Sequence, residues 1–210
     1  MSVDMSAVTA LAPVIPVLTI ERLSDAVPLA RALVKGGLPV LEITLRTHIA
    51  MAALGAIAKE VPDAVVGAGT VLEPAQVEQI QRLGARFAVS PGCTPSLVAA
   101  TRSAGLPYLP GVQTVSEAMA LAEQGYQVLK FFPAEPAGGL AWLKAVGGPL
   151  AGLRFCPTGG IGADTAQSYL ALPNVACIGG SWVAPAAALD AKDWSQIERL
   201  AAAASNYKRS

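Results

Sequence analysis

The amino-acid sequence predicts an α/β fold, a (β/α)8 TIM barrel with a short extra helix or arm at the N-terminus. Short apolar runs rich in Val, Ile and Phe alternate with amphipathic stretches rich in Ala and Leu along the chain. The alternation gives eight strand–helix units of roughly 20–28 residues, the number and size that such a barrel requires. A doubly wound open sheet is the alternative, because it shows the same alternation but usually has fewer strands.

The predicted strands are short apolar runs bounded by glycine, proline or polar residues. In chain order they are 14–18, 39–44, 64–69, 86–90, 107–110, 127–132, 154–157 and 175–180. Their β-branched and aromatic side chains favour strands because they pack well on a pleated surface.

The predicted helices lie between these strands, where apolar residues recur with helical spacing. In chain order they are 22–36, 48–60, 74–83, 95–104, 115–124, 139–147, 164–171 and 193–205. Pro74 suits a first helical position, and Asp164 with Gln167 three residues later resembles a capping box. No linker-like, low-complexity or charged stretch interrupts the series, so a single domain over 1–210 is expected.

The composition bears on the partners of the protein. Lysine plus arginine balances aspartate plus glutamate, 15 against 15, and no basic run occurs, so no nucleic-acid partner is expected. Hydrophobic residues make up 53% and charged residues only 14%, which favours an oligomer that covers apolar surface. No uninterrupted apolar segment reaches the roughly 18 residues of a spanning helix, so no membrane partner is expected. The first residues lack the basic flank of a secretory signal, and a cytoplasmic location is the expectation.

The cysteines and the histidine do not form a recognisable metal site. Cys93, Cys156 and Cys177 are odd in number and widely spaced, which favours buried thiols over disulfides or zinc ligands. His48 is the only histidine and lies near a predicted helix start, where exposure or capping is favoured over catalysis. The neighbours of His48 support neither a Ser-His-Asp triad nor a multi-histidine metal site. The sequence therefore predicts no metal and no cofactor.

Two charged residues interrupt apolar strands near their carboxyl ends, where barrels place their catalytic groups. Glu42 lies within PVLEIT and Lys130 within VLKFF. The residues on either side of each charge are apolar and belong to the opposite face of the strand, because side chains alternate. The apolar faces are expected to meet the outer helices, so Glu42 and Lys130 should both point into the barrel.

Two functions fit such a pair. A buried Glu–Lys ion pair can simply fill a barrel layer, because buried charges are usually paired. Alternatively, a lysine removed from water can react as the neutral amine and form a Schiff base with a ketone. Glu42 would then shuttle protons. Because a nearby carboxylate favours the charged form of the lysine, this function requires that desolvation has the larger effect on Lys130. Arg46 offers a planar fork for a substrate carboxylate, or pairs with Glu42 instead.

Glycine-rich turns follow the seventh and eighth predicted strands. The segments are TGGIGAD, which precedes a helix, and GGSW, which follows the last strand. Barrels frequently build a phosphate site from these two loops, whose backbone N–H groups cradle the anion. The alternative is tight-turn geometry without a ligand.

The ordered set of motifs resembles one known family, over about residues 13–200. The motifs are LEITLRT (41–47), GAGTVL (67–72), SPG (90–92), KFFPAE (130–135), CPTGGI (156–161) and CIGGSW (177–182). They resemble the 2-keto-3-deoxy-6-phosphogluconate (KDPG) and 4-hydroxy-2-oxoglutarate (KHG) aldolases, the class I, metal-free aldolases of the Entner–Doudoroff pathway. The resemblance implies a (β/α)8 barrel and a homotrimer. It also implies reversible cleavage of KDPG to pyruvate and D-glyceraldehyde 3-phosphate, with KHG cleavage as a side activity.

The resemblance also implies roles for individual residues. Lys130 matches the Schiff-base lysine, and Glu42 matches the general acid/base. The residues that match substrate-binding positions are Arg46 and Thr70 for the pyruvyl carboxylate, Pro91 and Phe132 for the apolar pocket, and Thr158 beside the phosphate. The residues that match the phosphate-binding turns are Gly159, Gly160, Gly180 and Ser181.

Two positions depart from the family pattern, and several other functions stay open. Gly162 stands where a serine is expected, and Cys93 stands where an aliphatic residue is expected. The galactonate-type sister aldolase is the nearest alternative. A phosphate-sugar isomerase or epimerase, a non-catalytic phosphate-sugar-binding barrel and a trimeric scaffold are the others.

Overall fold

The computed structural model describes residues 5–210 and has an α/β fold in which helices pack on a curled parallel sheet. The strands are β1 Val14–Leu18, β2 Val40–Thr44, β3 Val65–Gly69, β4 Ala88–Val89, β5 Tyr108–Leu109, β6 Gly111–Val112, β7 Val128–Phe131, β8 Arg154–Pro157 and β9 Ile178–Gly180. The helices are α1 Ser6–Thr9, α2 Leu23–Lys35, α3 Ala50–Glu60, α4 Pro74–Arg82, α5 Pro95–Ala104, α6 Val115–Glu123, α7 Gly139–Gly147, α8 Ala166–Leu170, α9 Ala186–Asp190 and α10 Trp194–Ser205. The α/β class and the strand–helix alternation predicted from the sequence are confirmed.

The strands form two parallel groups. One group has the order β5-β4-β3-β2-β1-β9, and the other has the order β6-β7-β8. Isolated parallel bridges join Phe155 to Val175 and Thr158 to Gly179, so the end of β8 lies beside β9. The carboxyl ends of the parallel strands therefore lie at one side of the sheet.

Three details of the predicted elements are wrong. The predicted strand 107–110 is shorter in the structure, β5, and the additional short strand β6 follows it after Pro110, which has no N–H to donate to a ladder. The Asp164 capping box does not form, because α8 begins at Ala166 with Thr165 before it, and the Thr165 hydroxyl accepts from the Gly162 amide instead. The short helix α9 follows the last strand and was not predicted.

The two faces of the strands pack into separate apolar clusters, as the alternation predicts. Leu41 and Leu129 belong to the large cluster between sheet and helices. Val40 and Val128 belong to a smaller cluster on the concave face. Met5, just before α1, is buried against this inner cluster, so the predicted extra helix covers one end of it. The first four residues of the predicted N-terminal arm lie outside the described part of the chain.

Candidate functional site

Glu42 and Lys130 meet inside the curled sheet. Lys130 Nζ donates to Glu42 Oε1 over 3.2 Å, and the two residues are only 4% and 3% exposed. Glu42 belongs to β2 and Lys130 to β7, which lie in different strand groups. In a flat sheet, side chains on strands this far apart could not reach each other. Their contact therefore shows that the sheet curves and that its concave face surrounds both residues. The inward placement predicted for both side chains is confirmed.

Gly69, at the end of β3, makes room for the carboxylate. Thr44 and Gly69 are partners in the ladder of β2 with β3, and a Cβ atom on Gly69 would overlap Glu42 Oε1 and lie 2.7 Å from Glu42 Cδ. The sheet offers little freedom to move either group, since both residues are buried. A glycine in the GAGT motif thus lets the acid approach the lysine.

We expect Gly69→Ala to lower the free energy of unfolding by roughly 1–3 kcal/mol, because the added methyl group overpacks a buried site. Gly152→Ala is the matched control, since nothing lies within 4 Å of the Cβ that it adds. Urea denaturation of both variants measures the difference. Equal stability of the two variants would contradict the packing of Gly69 against Glu42.

An aromatic ring borders the lysine. Phe132 follows β7 directly, is half-buried, and places its ring centroid 5.3 Å from Lys130 Nζ. The ring shields the amine from water and would interact favourably with a cation formed on it. The peptide bond between Phe132 and Pro133 is cis.

Arg46 and Thr70 form a second polar group at the same ends of β2 and β3. Arg46 Nε donates to Thr70 Oγ1 over 3.3 Å, and the guanidinium is exposed. The ion pairs of residues 5–210 include Glu42 with Lys130 and none between Arg46 and Glu42. Thr70 has φ of 58°, in the left-handed region that a β-branched residue rarely adopts. Such strain at the end of a strand often marks a ligand site.

The SPG loop after β4 is held by a buried hydroxyl. The Tyr108 and Ser90 hydroxyls share a hydrogen bond, Ser90 Oγ also bonds the Gly92 carbonyl, and Tyr108 OH lies 3.8 Å from Cys93 Sγ. These contacts fix the loop that carries the half-buried Pro91. Burial raises the pKa of the Cys93 thiol, so it is not a thiolate nucleophile at neutral pH. The prediction of buried cysteines is confirmed for Cys156 and Cys177, whereas Cys93 is only partly buried.

The two glycine turns lie side by side. Thr158 follows β8, is buried, and donates its backbone N–H to the Phe131 carbonyl over 3.0 Å, which ties the turn to the lysine strand. A Cβ on Gly179 would overlap the Thr158 side chain, so glycine there admits that threonine. Gly159 and Gly160 have φ of 104° and 84°, which glycine adopts most readily.

The last strand ends in the second turn. Gly180 closes β9 and is buried, and Ser181 follows it on the exposed side. A cavity of about 460 Å³ opens next to Ser181 and Trp182, and its lining also includes Thr19 and Arg22. The lining of this cavity includes Ser181 but neither Lys130 nor Glu42, so the cavity lies beside the lysine site and does not contain it.

Sequence reasoning did not assign the hydrogen bond between Glu135 and Tyr169. Glu135 is the last residue of KFFPAE, and its Oε1 accepts a hydrogen bond from the Tyr169 hydroxyl of α8. Burial and this bond raise the pKa of Tyr169, which therefore stays protonated. Glu135 is part of the KFFPAE motif, but no spacing rule connects it with a tyrosine 34 residues further along the chain.

Residues 5–210 contain neither a cluster of metal-ligand side chains nor a helix suited to span a membrane. No group of three or more His, Cys, Asp or Glu side chains there is arranged to hold a metal ion. In the same range, no helix combines the length and the apolar character needed to cross a membrane.

A buried lysine that meets a carboxylate within a parallel sheet is typical of lyases that form an imine with a keto acid. The chain belongs to one family of such enzymes, because the family model "KDPG and KHG aldolase" matches residues 5–200. The KHG/KDPG aldolase of Escherichia coli K12 is 52% identical over 189 residues, which cover 90% of this chain and 89% of that protein.

Two solved structures of the family superpose closely on this chain. A KDPG aldolase from Legionella pneumophila, with pyruvate captured as a covalent carbinolamine intermediate, is 49% identical with a TM-score of 0.93. The comparison covers 96% of this chain and 98% of that one. The KDPG aldolase of Zymomonas mobilis ZM4 with 3-phosphoglycerate is 47% identical with a TM-score of 0.94, covering 98% and 97% of the two chains.

Proposed function

We propose that the protein is a class I aldolase that reversibly cleaves KDPG to pyruvate and D-glyceraldehyde 3-phosphate, the aldolase step of the Entner–Doudoroff pathway. The observation that carries the proposal is the buried contact between Lys130 and Glu42. It supplies an amine and a proton-transfer group within 3.2 Å of each other, away from bulk water. Cleavage of KHG to pyruvate and glyoxylate is the expected side activity, because the pyruvyl part of the two substrates is the same.

The proposed cycle begins at Lys130. Its neutral amine attacks the C2 ketone, and loss of water from the carbinolamine gives a protonated imine. Glu42 then takes the proton from the C4 hydroxyl, the C3–C4 bond breaks, and its electron pair moves into the imine to form an enamine. The aldehyde leaves, C3 of the enamine takes up a proton, and water hydrolyses the imine to pyruvate and free Lys130.

The remaining polar groups hold the two ends of the substrate. Arg46 and Thr70 would bind the pyruvyl carboxylate, since a guanidinium fork and a hydroxyl match its two oxygens. Pro91 and Phe132 would line the apolar wall beside the methylene carbon. The turn residues Thr158, Gly159, Gly160, Gly180 and Ser181 would surround the phosphate, with backbone N–H groups and hydroxyls as donors.

We expect Ser181→Ala to raise the KM for KDPG roughly 10- to 100-fold, the effect of losing one hydrogen bond to a charged group. The kcat/KM for unphosphorylated KHG should change little, because KHG carries no phosphate for the exposed Ser181 to bind. Steady-state kinetics with both substrates measure the difference. Equal losses for both would contradict the phosphate assignment.

The sheet groups are proposed to be parts of one eight-stranded (β/α)8 barrel, in a single domain over 1–210. Support comes from Pro110, which joins β5 to β6 without a loop, and from the bridges between β8 and the β9 segment. A homotrimer is proposed as well. Exposed large apolar side chains, among them Leu72 and Met119, are available for such an interface.

A coupled assay tests the proposal directly. Pyruvate released from KDPG, and from its C4 epimer of the galactonate type, is followed through NADH consumption by lactate dehydrogenase. We expect faster cleavage of the gluconate-type substrate. Preference for the epimer would make the protein a galactonate-type aldolase, and no pyruvate from either would leave the isomerase and binding-protein alternatives.

A further inference from the structure

The phosphate turn after β8 rests on the segment that follows the lysine strand. The Ala134 amide donates to the Thr158 carbonyl over 2.8 Å, and the Glu135 amide donates to the Gly159 carbonyl over 3.0 Å. The ladder between β7 and β8 thus continues beyond the strand ends into the turn. The position of the turn therefore depends on where Ala134 and Glu135 lie.

The Glu135 side chain packs directly against the turn. A Cβ atom on Gly160 would lie 2.7 Å from Glu135 Cβ and 2.8 Å from Glu135 Cγ. The backbone of Gly160 is consequently in contact with the stem of the glutamate. If this side chain moved away, the turn would lose its contact with Glu135.

The carboxylate of Glu135 is fixed by a buried phenol. The Tyr169 hydroxyl donates to Glu135 Oε1, and the tyrosine is fully buried in α8. Gly139 at the start of α7 leaves the space for this bond, since its Cβ would lie 2.7 Å from the Tyr169 oxygen. The exposed glutamate is therefore tied to a rigid part of the core.

We propose that Glu135 is a positioning residue for the phosphate turn, held in place by Tyr169. The inference rests on the proposed function, since it assigns the turn after β8 to the substrate phosphate. Glu135 lies five residues after Lys130 in the same segment, so the pair fixes the spacing between the amine and the phosphate turn. The role of Glu135 concerns the binding of phosphorylated substrates, and it does not affect the reaction of Lys130 with C2.

Three variants test this role. Tyr169→Phe removes the hydroxyl and keeps the ring, so the core stays filled, and we expect the KM for KDPG to rise about tenfold. Glu135→Ala should raise it by a similar factor. Glu135→Gln keeps the side-chain carbons and an oxygen that can accept the hydrogen bond from Tyr169. It also removes a negative charge near the phosphate dianion of the substrate. Its KM should equal that of the parent protein or fall below it.

The readout is the contrast between two substrates. The kcat/KM for KHG should stay within about twofold of the parent value in all three variants, because no phosphate is involved. A general loss of structure would instead lower cleavage of KDPG and KHG together. Equal effects on both substrates, or a glutamine variant as poor as the alanine variant, would overturn the positioning role.

Failure of the proposed function gives a different result. If the parent protein releases no pyruvate from KDPG and forms no adduct with pyruvate, the aldolase proposal fails and the positioning role fails with it. If the parent cleaves both substrates and the KM for KDPG is unchanged in Tyr169→Phe and Glu135→Ala, only the positioning role is wrong. Thermal unfolding confirms that each variant is folded, and should Tyr169→Phe not fold, the two glutamate variants decide.

Discussion

Replacing Lys130 with alanine is expected to abolish aldol cleavage, with a loss in kcat of roughly four orders of magnitude or more, as for other covalent nucleophiles. The reason is that no other amine lies beside Glu42 among the ion pairs of residues 5–210. Without the imine, the electrons of the C3–C4 bond have no acceptor. Pyruvate release from KDPG measures the loss.

Borohydride reduction separates the imine from a structural ion pair. The parent protein, treated with pyruvate and borohydride, should carry one pyruvyl adduct on the peptide that contains Lys130, and Lys130→Ala should carry none. Intact and peptide mass spectrometry detect the adduct. Absence of the adduct in folded parent protein that still binds phosphorylated sugars would mean that Lys130 only neutralises Glu42.

The alanine variant needs a stability control, because it leaves the Glu42 carboxylate buried without its partner. Breaking a buried ion pair in this way costs about 3–5 kcal/mol. The double variant Glu42→Gln with Lys130→Met removes both charges and nearly preserves volume, so it should unfold close to the parent protein. Inactivity of this folded double variant would show that lost chemistry, and not lost structure, explains the alanine result.

The core of the site was predictable because strands alternate strictly. A charge within PVLEIT and another within VLKFF must each lie on the face opposite their apolar neighbours. With helices outside, both charges could only point inward, and the structure places them 3.2 Å apart. The rule needs no knowledge of which strands are neighbours, so it applies to the sequence alone.

The loops were not predictable by the same reasoning. Arg46 bonds Thr70, and Thr70 adopts a left-handed φ, but neither fact follows from a repeating pattern. Loop geometry depends on contacts between distant segments, such as the bond from Tyr169 to Glu135. For the phosphate turn, the sequence therefore indicates which residues belong to it. Only the structure shows which contacts hold those residues in place.

The unusual cysteine of the SPG loop has a structural explanation. Cys93 lies against the hydroxyl of Tyr108, which also bonds Ser90. Burial raises the pKa of Tyr108, so the hydroxyl keeps its proton and remains a donor. The polarisable thiol thus packs beside a buried polar group. Relative to the aliphatic residue of the family pattern, Cys93 is therefore expected to change only the local packing of the loop. The glycine at position 162 donates its amide to Thr165, which closes the turn without a serine.

Glu42→Gln is expected to lower kcat for KDPG roughly 10²- to 10⁴-fold, the usual contribution of a positioned proton-transfer group. The amide keeps the size of the acid and an oxygen that can face Lys130, so the site should stay packed around Gly69. It cannot accept the proton of the C4 hydroxyl, and it cannot deliver a proton during loss of water from the carbinolamine. Stopped assays of pyruvate release at saturating KDPG measure the effect.

The same variant distinguishes proton transfer from imine formation as the role of Glu42. With pyruvate and borohydride, Glu42→Gln should reach the same final extent of labelling on Lys130 as the parent protein, only more slowly. The nucleophile survives in this variant, whereas its proton carrier is lost. Unchanged turnover would assign Glu42 to the ion pair alone, and a complete loss of labelling would mean that the carboxylate is needed to hold the amine in place. Slow labelling with depressed turnover is the one result that requires Lys130 to form the bond and Glu42 to move the protons.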